Sequence, residues 1–291
     1  MNSPSAGGWR SAARHAICTR PAADRGGSAR ERAGSKYGKL ALVDSGSALA
    51  RAGADELRSR YDWVEPAEAD LIIALGGDGF MLQTLHTMLD TGKIVPVFGM
   101  NRGTVGFLMN EWRLDTLDAR IDRARTFSVP PLIMEAVTTN GERHILPAIN
   151  EVSLLRETRQ TAKIEVLVDG RCMLPELVCD GVLVSTPAGS TAYNSSANGP
   201  ILPLDSAMLA LTPISPFRPR RWNGAILPDK TKVSFVIREA TKRPVSAVAD
   251  QREVRDVKRV DVAIDRNRQL TLLFDPEHAL DDRIAREQFL G

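Results

Sequence analysis

The sequence predicts an α/β unit followed by a β-rich unit. Two observations carry that prediction. Between Leu40 and Ile121, apolar residues alternate between short strand-length runs and helical spacing. Beyond about Val129 the apolar period falls to two, with Asn-Gly and Asp-Gly pairs between the runs. A third observation bounds the class. Of 291 residues, 43% are hydrophobic and 25% charged, enough to bury a core in a globular chain.

Leu40 to Val43 reads as a short buried strand. Ala50, Ala54, Leu57 and Tyr61 recur at helical spacing and form one helix face. Leu71 to Leu75 is a second strand, closed by the turn Gly76-Gly77-Asp78-Gly79. Leu82, Leu85 and Leu89 mark the next helix, and Ile94 to Phe98 a third strand. Leu114, Leu117 and Ile121 mark a third helix. Strands and helices alternating through short connections argue for a parallel sheet.

In the second half, Leu132 to Thr138 and Arg143 to Ala148 flank Asn140-Gly141. Ile164 to Val168 and Cys172 to Leu174 flank Asp169-Gly170. Both read as hairpins. Val152 to Leu155, Val182 to Ser185, Val233 to Ile237, Val260 to Ile264 and Leu270 to Phe274 are further strands, expected to be mostly antiparallel. The expected organisation is therefore an α/β unit over 38–128 and a β-rich unit over 129–275. A C-terminal segment, 276–291, contains the helical pattern Asp281 to Phe289 and is expected to pack back on the first unit. Residues 1–37 hold seven basic residues against Asp24 and Glu31, with no apolar periodicity. They read as a disordered basic extension or a mis-assigned start. A transit peptide is the competing reading, weakened by two Gly-Gly pairs and an early Pro.

Composition also excludes. Lys and Arg number 38 against 36 Asp and Glu, a net charge of +2. Such a balance gives no electrostatic case for nucleic acid or membrane as a partner. No apolar run approaches the ~20 residues of a membrane span, and no h-region marks a secretory signal. Three cysteines are too few and too odd for a disulfide framework, so a reducing cytoplasm is expected. Scattered histidines show no zinc spacing. His86 falls one position off its helix's Leu face and His144 in a strand; neither has a partner that the sequence can place.

Four clusters carry chemistry. Gly76-Gly77-Asp78-Gly79 joins a buried strand to a helix, at the edge where open α/β sheets bind ligands. Its glycines admit a phosphate to the backbone, and the helix start offers free N–H groups. An aspartate there would repel an anion but suits work on a proton or a divalent metal. The same residues also suit a plain glycine turn with a capping aspartate. Asn101 to Leu108 follows the next strand and would lie beside that turn; it also reads as a surface connection. Asn150-Glu151 opens a strand and says little alone. Asp180 to Pro200 ends a strand in a long run of small, hydroxyl and amide residues around Tyr193, suited to a ribose or a base edge. Arg218-Pro219-Arg220-Arg221 reads as a solvated basic face.

Taken in this order, the four clusters resemble those of the NAD kinases, over about Leu40 to the C-terminus. Asp180 to Pro200 is the specific part, because the Gly-Gly-Asp-Gly turn is shared with diacylglycerol and sphingosine kinases. The resemblance implies a Rossmann-like domain followed by a β-sandwich-like domain, with the site between them. It implies transfer of the γ-phosphoryl of ATP, or of polyphosphate, to the 2′-hydroxyl of the adenosine ribose of NAD. It implies Asp78 as proton acceptor, with Gly76, Gly77, Gly79 and Asn101 toward the triphosphate. Asp78, Gly79, Asn150, Glu151, Asp180, Thr191, Ala192, Tyr193, Asn194, Ser195 and Ser196 would surround NAD, with Asp180 on the nicotinamide side. Mg²⁺ would be held mainly by the ATP phosphates, with no protein metal ligands assigned. A homodimer or homotetramer is implied. Phe80 stands where many members carry Thr, Ala188 and Asn198 replace residues often Thr and Gly, and Asp250 lacks the Gly that often follows it. A lipid kinase of the same loop type and a non-catalytic NAD(P) sensor are the alternatives.

Overall fold

The computed structural model describes residues 36–103, 106–220 and 222–276. The expected C-terminal helix, Asp281 to Phe289, and nearly all of the basic extension lie outside the described residues. In chain order the first part holds β1 (Leu40–Asp44), α1 (Ala48–Arg58), β2 (Leu71–Gly76), α2 (Asp78–Thr91), β3 (Val97–Asn101), α3 (Leu117–Arg123) and β4 (Arg125–Val129). Then come β5 (Leu132–Thr138), β6 (Arg143–Ala148), β7 (Glu151–Arg156), β8 (Ala162–Val168), β9 (Arg171–Cys179) and β10 (Gly181–Ser185). A 3₁₀ turn (Ala188–Thr191) and the short helix α4 (Tyr193–Ser196) follow. The chain continues through β11 (Met208–Ile214), β12 (Ala225–Pro228), β13 (Val233–Ile237), β14 (Val245–Ala249), β15 (Arg252–Val254), β16 (Val257–Ile264) and β17 (Leu270–Phe274).

Three sheets form. The first has the order β1-β2-β3-β17-β4. Its first four strands are parallel, and β4 runs antiparallel to β17. One face packs on α2 through Ile72, Ala74, Met81, Leu85, Val97 and Leu272. The other packs on α1 and α3 through Leu57, Leu71, Ile73, Phe98, Leu117 and Ile121. Burial on both faces explains why β2 reads as an unbroken apolar run. Ser47 caps α1, its side chain accepting from the N–H of Ala50 at 3.2 Å. α1 ends at Arg58, before Tyr61, and α3 begins at Leu117, after Leu114.

The other two sheets have the orders β12-β11-β10-β7-β14-β15 and β6-β5-β16-β13-β8-β9. They face each other over one apolar core. Val152, Leu154, Val182, Val184 and Leu211 come from one sheet, and Met134, Ile164, Val166, Phe235 and Val260 from the other. This is a β-sandwich. The Asp169-Gly170 hairpin forms as expected, both residues at positive φ (49° and 77°), which matches the twist of the strands it joins.

One strand departs from the expected division. Leu270 to Phe274, read as part of the β-rich unit, inserts in the first sheet between β3 and β4. Leu270, Leu272 and Phe274 bury on the α2 face and Leu273 on the other. A short apolar run looks alike in a sandwich and in a parallel sheet, so its partner is a long-range fact. Behind it, Arg120 on α3 clasps Asp275 in a buried ion pair at 2.6 Å.

Candidate active site

The Gly-Gly-Asp-Gly segment spans the end of β2 and the start of α2. Gly77 is the helix N-cap and Asp78 the first helical residue. The Gly77 carbonyl accepts from the N–H groups of both Phe80 and Met81. The N–H groups of the first turn point out of the helix end, which favours an anion. A Cβ added at Gly79 would meet nothing within 4 Å, so that side of the turn is open to a ligand.

Asp78 is half-buried. Its Oδ2 accepts from the Phe107 N–H at 2.7 Å and its Oδ1 from the Leu108 N–H at 2.9 Å. Each carboxylate oxygen has two acceptor sites, so one on each oxygen is unused among the described residues. The loop after β3 must come very close to do this. A Cβ at Gly106 would sit 2.2 Å from Asp78 Oδ1, so any larger residue there would push the carboxylate aside. Asn101 ends β3 opposite Gly76, and the Arg102 N–H donates to the Gly76 carbonyl at 2.7 Å. The two loops that the sequence expected side by side are hydrogen-bonded neighbours.

Asn150 and Glu151 form the corner entering β7, and both are buried. Three successive N–H groups there, of Ile149, Asn150 and Glu151, donate to the carboxylate of Asp250 at 2.6, 2.9 and 3.1 Å. The opposite side of the corner is knitted to the end of β10. Thr186 donates its hydroxyl to the Ile149 carbonyl at 2.7 Å and its N–H to the Asn150 carbonyl at 2.9 Å. Gly189 packs so tightly that a Cβ would lie 2.2 Å from the Asn150 carbonyl oxygen. Asn150 Oδ1 and Glu151 Oε2 are buried with no hydrogen-bond partner among the described residues. Burial, with Asp250 adding to it, pushes the Glu151 carboxyl up to about 8. Tyr193 lies close enough that burial and the Glu151 charge both raise its hydroxyl.

The corner and the Asp78 turn meet across one interface. Ile149 and Ala188 belong to the same apolar cluster as Met81, Leu85 and Leu108. A crevice there is lined by Phe107, Leu108, Pro187, Ala188 and Thr191. Asp78, its two N–H donors, the Asn150–Glu151 corner and the turn before Tyr193 therefore share one wall of the molecule.

The families of the ATP-NAD kinase N-terminal domain and the ATP-NAD kinase C-terminal domain match residues 23–124 and 149–273. The NAD kinase of Rhizorhabdus wittichii is 68% identical over 251 residues, covering 86% of this chain and 98% of that protein. The chain belongs to the NAD kinase family. The NAD kinase of Zymomonas mobilis is 63% identical over 254 residues, 87% of this chain and 98% of that protein. Among solved structures, yeast NADH kinase complexed with NADH superposes with a TM-score of 0.73 at 20% identity, covering 87% of each chain. An NAD kinase from Archaeoglobus fulgidus in complex with ATP gives 0.67 at 22% identity, covering 85% of this chain and 98% of that one. These two likenesses concern the fold.

Within this family member, two residues expected around NAD stand apart from the rest. Asn194 is fully buried. Its Nδ2 donates to the carbonyls of Ser190 at 3.1 Å and Pro200 at 2.9 Å, and its Oδ1 accepts from Thr212 at 2.7 Å. It holds the loop together, with both polar atoms of its amide hydrogen-bonded inside the protein. Asp180 precedes β10, whereas Ser185, at the strand's other end, pairs with Glu151. Five residues at about 3.3 Å each put it roughly 17 Å from the corner. There it pairs with Arg156 Nε at 2.5 Å. Thr191, Ala192, Tyr193 and Ser195 are half-buried and Ser196 is exposed, in and around α4.

Two residues that shape the site were not assigned from sequence. Asp250 orders the corner through three N–H groups, and His86 Nε2 lies 2.7 Å from its Oδ2. The sequence signals were thin: the Gly missing after Asp250, and a polar residue at the rim of an apolar helix face for His86.

Proposed function

We propose that this chain transfers the γ-phosphoryl group of ATP to the 2′-hydroxyl of the adenosine ribose of NAD, giving NADP and ADP. The observation that carries the reading is Asp78. It is a carboxylate oriented by two backbone N–H groups at an open helix N-terminus, beside a buried corner, and among the described residues both Asp78 and the corner keep acceptor sites unused. Asn150 and Glu151 offer those oxygens to the ribose hydroxyls, which then satisfy them. Thr191, Ala192, Tyr193, Ser195 and Ser196 wall the rest of NAD, and the Tyr193 ring offers it a flat face. Gly77 and Gly79 let the triphosphate approach the first-turn N–H groups of α2, with Gly76 and Asn101 bracing that turn.

A ribose hydroxyl is a poor nucleophile near neutral pH. Asp78 takes its proton as the oxygen bonds to the γ-phosphorus. The bond from that phosphorus to the bridging oxygen breaks, and ADP leaves with the electron pair. The protein's share is alignment and charge placement. Among the described residues, no three Asp, Glu, His or Cys side chains cluster as a metal site. On this reading Mg²⁺ comes with ATP, held mainly by the triphosphate oxygens.

The substrates are thus NAD and Mg²⁺–ATP, with polyphosphate as the alternative donor. Asp180 stands at the far end of β10 from the corner, the side assigned to the nicotinamide, and the chain is expected to act as a homodimer or homotetramer. No described helix is long and apolar enough to cross a membrane. The sparse cysteines suit a reducing cytoplasm.

The test is NADP formation by the purified chain with NAD, ATP and Mg²⁺, alongside Asp78→Asn. Loss of the base should lower kcat by at least ~100-fold. A variant with near-normal turnover removes Asp78 from the chemistry.

A further inference from the structure

α2 carries Asp78 at its start and His86 eight residues on, about 12 Å further along its axis. The two residues anchor the start and the middle of the helix to different parts of the site. Asp78 is held by the loop after β3. His86 Nε2 meets Asp250 Oδ2 at 2.7 Å, in a pair whose side chains are 16% and 4% exposed. An ionised carboxylate only accepts, so Nε2 is the atom that carries the proton. One turn beyond His86, Asp90 accepts from Arg252 Nη1 at 3.1 Å. A single face of α2 is therefore docked on the turn between β14 and β15. That same turn clasps Ile149, Asn150 and Glu151 through Asp250.

His86 Nδ1 is buried with no hydrogen-bond partner among the described residues. A buried polar atom without a partner is a cost to the fold. An apolar side chain on this helix would avoid it. The unpartnered Nδ1 offsets part of what the Nε2 bond contributes to stability, so registration of two halves of a site accounts for the imidazole better than stability alone.

We propose that His86 is a positioning residue: its hydrogen bond to Asp250 fixes Asp78, through α2, relative to the Asn150–Glu151 corner. The inference rests on the phosphoryl-transfer reading above. His86 touches neither phosphoryl donor nor acceptor. It acts by setting the distance between the base and the ribose it serves, a distance to which rates are steeply sensitive.

The experiment compares wild type, His86→Leu, His86→Met and His86→Gln as full chains. NADP formation is measured with NAD varied at saturating Mg²⁺–ATP, then with ATP varied at saturating NAD, and melting temperatures are taken alongside. The two apolar variants should lose about ten-fold or more in kcat/KM for NAD. The KM for ATP should stay within about two-fold and the melting temperature should fall by no more than about 6 °C, the loss of one hydrogen bond to a charged group. His86→Gln, whose amide can donate from a similar position, should recover to within about three-fold of wild type. The proposal is overturned if the apolar variants keep normal kinetics, or if His86→Gln loses as much as they do. It is also overturned if the apolar variants do not fold, or if both substrates and the melting temperature suffer together, because the role is then structural. An active wild type with unimpaired apolar variants sinks this inference alone. A wild type that makes no NADP sinks the transfer reading and this one with it.

Discussion

Glu151 gives the sharpest pH test of the site. Its carboxyl is buried at the β7 corner with one oxygen unpartnered, and is pushed from 4.5 to about 8, first by burial and then by Asp250. In the unfolded chain it ionises at the ordinary value. Below pH 4.5 both states hold the proton, and Glu151 does not oppose folding. From there to about pH 8 the unfolded state gives up the proton and the folded state keeps it. Each pH unit in that window costs the folded state about 1.4 kcal/mol, or about 5 kcal/mol in all. Above pH 8 the penalty is constant. Gln has the shape of the protonated acid and no titration, so Glu151→Gln should match wild type near pH 4.5. It should then pull ahead progressively to pH 8. At about 2 °C per kcal/mol for a chain of this size, the gap in melting temperature reaches about 10 °C. The assay is thermal unfolding of both proteins from pH 4.5 to 9, read as the difference between them, so that titrating groups not coupled to Glu151 cancel. Parallel curves across that range, or a variant that falls behind as pH rises, would refute a Glu151 held neutral by burial.

Two further substitutions separate chemistry from scaffold. Gly106→Ala places a Cβ 2.2 Å from Asp78 Oδ1. A displaced base should cost about 100-fold in kcat, checked by NADP formation, with a circular dichroism spectrum like wild type. Asn194→Ala removes three buried hydrogen bonds. It should lower stability by about 2–4 kcal/mol in a urea titration; a variant of normal stability with a raised KM for NAD would instead make Asn194 a ligand contact.

Much of the site was legible because its chemistry is local in sequence. A Gly-Gly-Asp-Gly turn between a buried strand and a helix needs only adjacent residues to be recognised, and Asp78 follows from it. The run from Asp180 to Pro200 is likewise continuous, and its composition announces a polar binding loop. Local sequence could not separate side chains within that run. Asn194 and Tyr193 are neighbours, yet one amide faces inward and is spent on Ser190, Pro200 and Thr212, while the other side chain lies near Glu151.

The α/β unit and the two hairpins were determined by the sequence itself, since periodicity and turn chemistry are short-range properties, and the contiguous motifs carried the resemblance to the kinase family and the proposal of Asp78 as base. Tertiary structure alone decided the rest. It placed β17 in the first sheet, because an apolar run fits any fully buried strand and only its partner settles which. It separated Asp180 from the corner by the length of a strand, because the antiparallel pairing of β7 and β10 puts adjoining motifs at opposite ends. It brought His86 to Asp250 across 164 residues. A lone histidine and a lone aspartate carry no sequence pattern, and a hydrogen bond between them exists only once the sandwich is docked on α2.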